Sequence, residues 1–367
     1  MKILFFLLLF LEINISIYSF ELNNNTYISL TKPQVLLNGI LHSTFVNKET
    51  IFFSYVSSSK AIITGVLQKD NDNFTFKELE TSFRYEEQDV LIFVDIFYYK
   101  GITYLTHLEK FSFEFLLTYN KNKIKIGDTE KRPYVFLDGN ILKCFFLDKN
   151  INSLVYKEIN LDTLKTKEII GEANIDSFFV SYCPQSKNTA IIWQIKNYPK
   201  EFFLSSMDKD FNGYNPITLL KFDEKIDMPQ ININDKNIVL AFLNDYQNKY
   251  LFYPFTEDVR NFIPENFSEE FKDYKITKMF YLDNIYVAVL KKTIENINKQ
   301  KVDEVEIIIS DYNLKYSLSL KIPTIEGVTS NFKFIQYKDV LLVFWIEKVN
   351  NNNLIKYSTI NFIPKSF

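Results

Sequence analysis

The residues able to do chemistry are few and scattered. The chain of 367 residues holds two histidines, His42 and His107, and two cysteines, Cys144 and Cys183. Neither histidine stands at a ligand spacing from a cysteine, so no metal site is expected. Both lie in apolar runs that read as strands, which favours packed structural histidines over the base of a Ser/His/Asp group. The carboxylate pairs Glu86-Glu87 and Glu269-Glu270 read as solvated faces. With only 8 glycines there is no Gly-rich loop to cradle a phosphate, and no cofactor is expected. The cysteines lie 39 residues apart, in successive structural units. In an oxidising compartment Cys144 and Cys183 could form a disulfide joining those units; the other reading is two buried thiols, and both stay open.

The elements that must position these groups are strands. From Pro133 to Ile159 an apolar run turns at Leu137-Asp-Gly-Asn140, returns as Ile-Leu-Lys-Cys-Phe-Phe-Leu, and turns again at Asp148-Lys-Asn150. β-branched and aromatic residues bounded by Asn, Asp and Gly are the mark of strands and tight turns. The phrase recurs, with turns at Asn47-Lys-Glu49, Tyr99-Lys-Gly101, Ser186-Lys-Asn188, Asn234–Asn237, Leu282-Asp-Asn284 and Tyr337-Lys-Asp339. A period of roughly 40–55 residues is that of four-stranded propeller blades. The strand after each of these turns is almost wholly apolar, as suits burial on both faces, whereas later strands alternate with Lys, Glu or Asn. The reading is all-β: a single β-propeller, seven blades by turn count, or six plus a split closing unit as the alternative. The stretch 265–274 could hold a short surface helix, and the polar Lys292–Lys301 insert reads as a loop.

Met1 to Ser19 reads as a signal peptide. Lys2 gives the positive start, and Ile3–Leu11 is an apolar run too short to cross a bilayer of ~30 Å. The expectation is therefore a signal peptide at 1–19 and one propeller domain at 20–367. The product would enter the secretory pathway, to be secreted or held peripherally at the cell surface or in a secretory organelle, with no direct membrane span. A net charge of −3 without a basic block argues against a nucleic-acid partner. Asn24, Asn73 and Asn266 begin N-glycosylation sequons.

Ser205-Ser-Met-Asp208 through Gly213, between two apolar strands, resembles a degenerate Asp-box, with Ser206, Asp208 and Gly213 as its elements. That hairpin device marks the sialidase-like propellers. With the Arg132-Pro-Tyr-Val-Phe136 strand entry and the ending Tyr357-Ser-Thr-Ile-Asn-Phe362, the chain resembles in particular the cysteine-rich protective antigen family of malaria parasites. That family is disulfide-rich, and this chain departs from it with two cysteines. The resemblance implies a secreted, non-catalytic propeller: a protein-binding scaffold or adhesin in a parasite surface or invasion-type complex. Its partners would be secreted or membrane-anchored proteins, a host receptor or a glycan. Active sialidases clamp a carboxylate with three arginines. The chain has three, Arg84, Arg132 and Arg260, so the alternative is a diverged sialidase-like propeller that binds or hydrolyses glycans. The contexts of the three do not suggest convergence, and the chain is not expected to be an enzyme.

Overall fold

A computed structural model describes residues 18–23, 26–47, 50–57, 61–70, 73–84, 91–183, 187–207, 218–222, 230–233, 238–244, 249–255, 265–266, 275–282, 285–295, 299, 301–311, 317–322, 328–337, 340–350 and 352–364. Three strands come first: β1 (Tyr18–Asn23), β2 (Thr26–Leu30) and β3 (Gln34–Asn38). Blade 1 is β4 (Ile40–Asn47), β5 (Thr50–Val56), β6 (Ala61–Asp70) and β7 (Asn73–Arg84). Blade 2 is β8 (Leu91–Tyr99), β9 (Ile102–Glu109), β10 (Glu114–Tyr119) and β11 (Asn122–Asp128). Blade 3 is β12 (Tyr134–Asp138), β13 (Ile141–Asp148), β14 (Ser153–Asn160) and β15 (Thr166–Ala173). Blade 4 is β16 (Ile175–Tyr182), β17 (Thr189–Ile195), β18 (Glu201–Met207) and β19 (Thr218–Lys221). Blade 5 is β20 (Gln230–Ile233), β21 (Ile238–Asn244), β22 (Lys249–Phe255) and β23 (Glu265–Asn266). Blade 6 is β24 (Lys275–Leu282), β25 (Ile285–Glu295), β26 (Lys301–Asp311) and β27 (Ser317–Lys321). The last strands are β28 (Val328–Tyr337), β29 (Val340–Val349) and β30 (Asn352–Pro364).

The ring is a β-propeller of six complete four-stranded blades and a closing sheet taken from both ends of the chain. In that sheet β2 and β3 share the outer edge of β30, and β1 pairs with β2. The six-plus-split-unit alternative thus describes the ring, and the turn count of seven equals its sheets. Seven of the eight turns named from the sequence join the first and second strands of a sheet, and Asp148-Lys-Asn150 joins the second and third strands of blade 3. First strands meet across neighbouring sheets, at β4 with β8, β12 with β16, β16 with β20, β20 with β24, and β28 with β4, and so line the axis.

Strand alternation explains the core. In β13, Leu142, Cys144 and Phe146 pack on blade 2, while Phe145 and Leu147 pack on blade 4. Blade 3 therefore buries two apolar faces, at about 1.5–3 kcal/mol per large side chain. Outer strands carry charge instead, as along β15, where exposed positions predominate. Two local readings are corrected. Of the 292–301 insert, read as a loop, 292–295 and 301 are strand, while 296–298 and 300 lie outside the described residues: β25 runs to Glu295 and pairs residue by residue with β26, with Lys292 set opposite Glu304, a favourable cross-strand pairing. Of the 265–274 helix reading, Glu265–Asn266 is strand, and 267–274 lie outside the described residues. Residues 1–17 also lie outside them, whereas Tyr18 and Ser19, placed in the signal segment by sequence, open β1.

One buried charge group interrupts the apolar layers. Lys143 in β13 is 2% exposed and lies 5.1 Å from the centre of the Tyr182 ring in blade 4. Asp138 at the end of β12 binds Lys143 at 3.1 Å through one oxygen and Lys187 of blade 4 at 3.1 Å through the other. Burial raises the Asp138 carboxyl, but the two ammonium groups overcome it and hold the group below its ordinary 3.8. A depressed folded value means the stabilisation is complete above 3.8 and is lost as pH falls through the lower folded value. Asp138→Asn leaves Lys143 buried without its carboxylate and should cost roughly 3 kcal/mol in urea unfolding at neutral pH. The gap to wild type should shrink below the ordinary carboxylate value, and adding Lys143→Met should recover much of it. A gap independent of pH would rule this account out.

Closure depends on Tyr357 of β30. Its hydroxyl accepts from the Phe74 amide of blade 1 at 2.8 Å and donates to Gln34 Oε1 of β3 at 2.5 Å. Tyr357→Phe should lower stability by about 1–3 kcal/mol by orphaning the buried Phe74 N–H. An unchanged denaturation midpoint would show that the hydroxyl contributes nothing to closure.

Candidate functional site

Two places on the ring gather polar chemistry. The first is the axis. An inner strand has one open edge, whose N–H groups lack a neighbouring strand. Hydroxyls from the preceding blade serve some of them: Ile96 N–H donates to Ser43 Oγ at 3.1 Å, and Ile233 N–H to Ser181 Oγ at 3.2 Å. Register shifts immediately precede Ser43, Asp95, Ser177, Lys278 and Lys333 on five inner strands. Such bulges re-aim the residues that follow them. Ser43 Oγ lies 3.4 Å from Asp95 Oδ1. Burial holds the Lys333 ammonium below its ordinary value; Asp95 opposes that shift and Arg132 adds to it. Tyr134, two residues past Arg132, is pushed up to about 12 by burial, with Arg132 pulling the other way.

The second place is the face where first strands begin and second strands turn into third strands. In three consecutive blades that turn carries an exposed large apolar residue: Phe111 (71% exposed), Ile151 (49%) and Tyr198 (54%). The turns are laced to the links between blades. Thr129 N–H donates to Phe113 O at 2.9 Å, and Lys149 N–H to Asp128 O at 3.0 Å. Asn174 N–H donates to Asn152 O at 2.9 Å, and Lys196 N–H to Asn174 O at 2.8 Å. Asp148 Oδ1 accepts from the amides of Asn150 (2.8 Å) and Ile151 (3.2 Å), which fixes the tip of blade 3. Phe113 holds a φ of 62°, costly for a bulky side chain, under the Lys149 ammonium 4.8 Å from its ring. Between the tips of blades 3 and 4 opens a cleft of about 400 Å³. Lys131, Lys149 and Lys196 line it with Asn152, Glu130 and Asp176, over Leu147 and Ile175.

The other residues singled out by sequence are dispersed. Arg132 sits at the entry to β12 near the axis, and Arg84 ends β7, the outermost strand of blade 1. Three strand spacings, about 14 Å, separate that backbone from the axis-lining β4. Arg260 lies outside the described residues. The backbones of Arg84 and Arg132 therefore stand on an outermost strand and at the entry to an axial strand of different sheets. His107 is buried, its Nε2 2.9 Å from Thr118 Oγ1, as a structural histidine. His42 lies on β4 at the register shift before Ser43. Ser206 lies in β18, whereas Asp208 and Gly213 of the degenerate Asp-box fall outside the described residues. Asn73 opens β7 exposed and accepts from Gln34 Nε2 at 2.7 Å; Asn266 ends β23, and Asn24 lies outside the described residues. The disulfide reading is corrected. Cys144 packs between blades 2 and 3, Cys183 between blades 4 and 5, and the sulfurs are not bonded to each other. A whole blade interface lies between the two layers.

Sequence reasoning missed the three tips and the cleft lysines. The available signal was a lysine followed within two residues by a large apolar side chain in a polar turn: Lys110-Phe111, Lys149-Asn-Ile151, Lys196-Asn-Tyr198.

Neither a protein-family model nor a curated protein matches the sequence. Solved structures do match in fold. A polysaccharide lyase, Uly1, aligns with a TM-score of 0.56 at 10% identity, over 89% of this chain and 91% of its own. A prolyl endopeptidase aligns at 0.60 and 8%, over 91% of this chain but 51% of its own. The WD40 domain of SCAP from fission yeast aligns at 0.52 and 10%, over 91% and 98%. At such identities the likeness shows the β-propeller fold alone, shared by enzymes and non-enzymes.

The cysteine layers give a direct check. Burial pushes the Cys144 thiol well above its ordinary value, and both cysteines are buried. The folded protein should react with a thiol reagent only as fast as it unfolds, and the unfolded, unreduced chain should titrate two thiols. No thiol after unfolding would mean the cysteines are bonded.

Proposed function

We propose that this propeller is a non-catalytic, protein-binding scaffold or adhesin, working in the secretory route or at a cell surface as part of a multiprotein complex. The single observation that carries the reading is the row of exposed Phe111, Ile151 and Tyr198 on equivalent turns of three consecutive blades. Aromatic and large aliphatic side chains held on a rigid frame are what a partner's pockets grip, because little side-chain entropy remains to be lost. The lacing of turns to inter-blade links supplies that rigidity. The resemblance to the secreted propellers of parasite invasion complexes, and the apolar N-terminal segment after Lys2, support the same reading; partners would be secreted or membrane-anchored proteins or a host receptor. A diverged glycan-hydrolysing propeller is the second reading, and its support is Arg132 with Tyr134 at the axis.

The test is capture of the tagged protein from its own cells, with wild type beside Phe111→Ser, Ile151→Ser and Tyr198→Ser. These exposed positions should change stability by no more than about 0.5 kcal/mol. Each should weaken the recovered complex about tenfold or more if it anchors a partner. Full recovery with all three replaced together would discard the interface.

A further inference from the structure

The cleft between the tips of blades 3 and 4 has a lining that an apolar docking face does not require. Three ammonium groups, from Lys131, Lys149 and Lys196, stand around about 400 Å³ together with the Asn152 amide and the carboxylates of Glu130 and Asp176. Among the described residues, none of the three lysines has a carboxylate within ion-pair distance; Lys149 donates to a carbonyl oxygen, that of Ser112, at 3.3 Å. Several other surface lysines are paired, Lys100 with Asp162, Lys125 with Glu114 and Asp128, Lys221 with Glu201. What marks the cleft is that three such cations gather around one concave space.

We propose that this cleft binds a sulfated oligosaccharide. Three lines of chemistry converge. Lysines are compact point charges that suit the tetrahedral oxygens of a sulfate, whereas a planar carboxylate is better matched by the fork of an arginine. Glu130 and Asp176 would repel a simple polyanion, but they accept hydrogen bonds from sugar hydroxyls, so a mixed lining fits a ligand bearing both anions and hydroxyls. Tyr198 stands two residues beyond Lys196 on the same turn and offers an exposed ring to a sugar face. The walls are set before any ligand arrives, since Asn152, Asn174 and Lys196 are joined by backbone hydrogen bonds. The site is off the axis and independent of Arg132. It shares its face and Tyr198 with the protein interface proposed above, whereas its lysines and carboxylates are its own.

The test is calorimetric titration of the full chain with a heparin-derived hexasaccharide, its desulfated counterpart, inorganic sulfate, sialyllactose and phosphatidylserine vesicles. The sulfated hexasaccharide should bind, and the other four should bind at least about tenfold more weakly. Lys131→Gln and Lys196→Gln should each weaken binding about tenfold. Asp176→Ala, which removes both carboxylate oxygens, decides between a sugar site and a merely basic surface. Loss of a hydroxyl acceptor should weaken binding, whereas loss of a repulsive charge on a non-specific surface would strengthen it and overturn the proposal. Equal binding of inorganic sulfate, or preference for the vesicles, would also overturn it. Phe111→Ser should leave the titration unchanged, so failure of the protein interface and failure of the sugar site are read separately.

Discussion

A sheet that is apolar on both faces is stable only between two others, and a ring satisfies that need for every sheet at once. The closing sheet is where the requirement is most demanding, because it must cover blade 6 and blade 1 together. Trp345 and Val343 pack toward blade 6, Phe344 and Leu342 toward blade 1, from alternate positions of one strand. Its outer edge comes from the other end of the chain, through β2 and β3 on β30. Thr31 and Thr359 exchange hydrogen bonds at that seam, the Thr31 N–H reaching Thr359 O at 2.9 Å and the Thr359 N–H reaching Thr31 Oγ1 at 2.8 Å. Contacts between residues more than three hundred positions apart therefore hold the other blades in register.

The same requirement sorts the polar groups. Those between blades are paired, because an unpaired charge in an apolar layer is costly. Asp138 with Lys143 and Lys187 is one such group, and Glu347 with Lys356 at 2.7 Å is another. Those at the axis serve the open strand edges, as Ser43 does for Ile96. The turn face is under neither demand. There, large apolar side chains and unpaired lysines stand in water, and there a partner or ligand gains most by displacing it.

Much of the frame was legible. Turns such as Tyr99-Lys-Gly101 and Leu137–Asn140 reveal themselves through residues that accept left-handed backbone, with Lys100 at φ 47°, Gly101 at 82° and Gly139 at 60°. The buried second strands reveal themselves by composition, as in Ile-Leu-Lys-Cys-Phe-Phe-Leu. Less legible was the extension of β25 and β26 through a lysine- and glutamate-rich stretch, since a long exposed hairpin has the composition of a loop. The site was harder still. Arg84, Arg132 and Arg260 drew attention by type, yet Arg84 and Arg132 belong to opposite edges of different sheets. Phe111, Ile151 and Tyr198 drew none, because a single apolar residue in a turn has no periodicity to betray it.

The sequence by itself determined the all-β class, the repeating four-stranded unit and the burial of second strands such as β9, β13 and β29, because these rest on alternation and turn chemistry within some tens of residues. The tertiary structure decided what depends on which blade faces which. It placed Cys144 and Cys183 in separate layers, made residues 26–38 the outer edge of the last sheet, and gathered Lys131 of an inter-blade link with Lys149 and Lys196 of two turns around one cleft. The physical reason is that ring closure fixes distances between side chains far apart in sequence, and no local pattern carries that information.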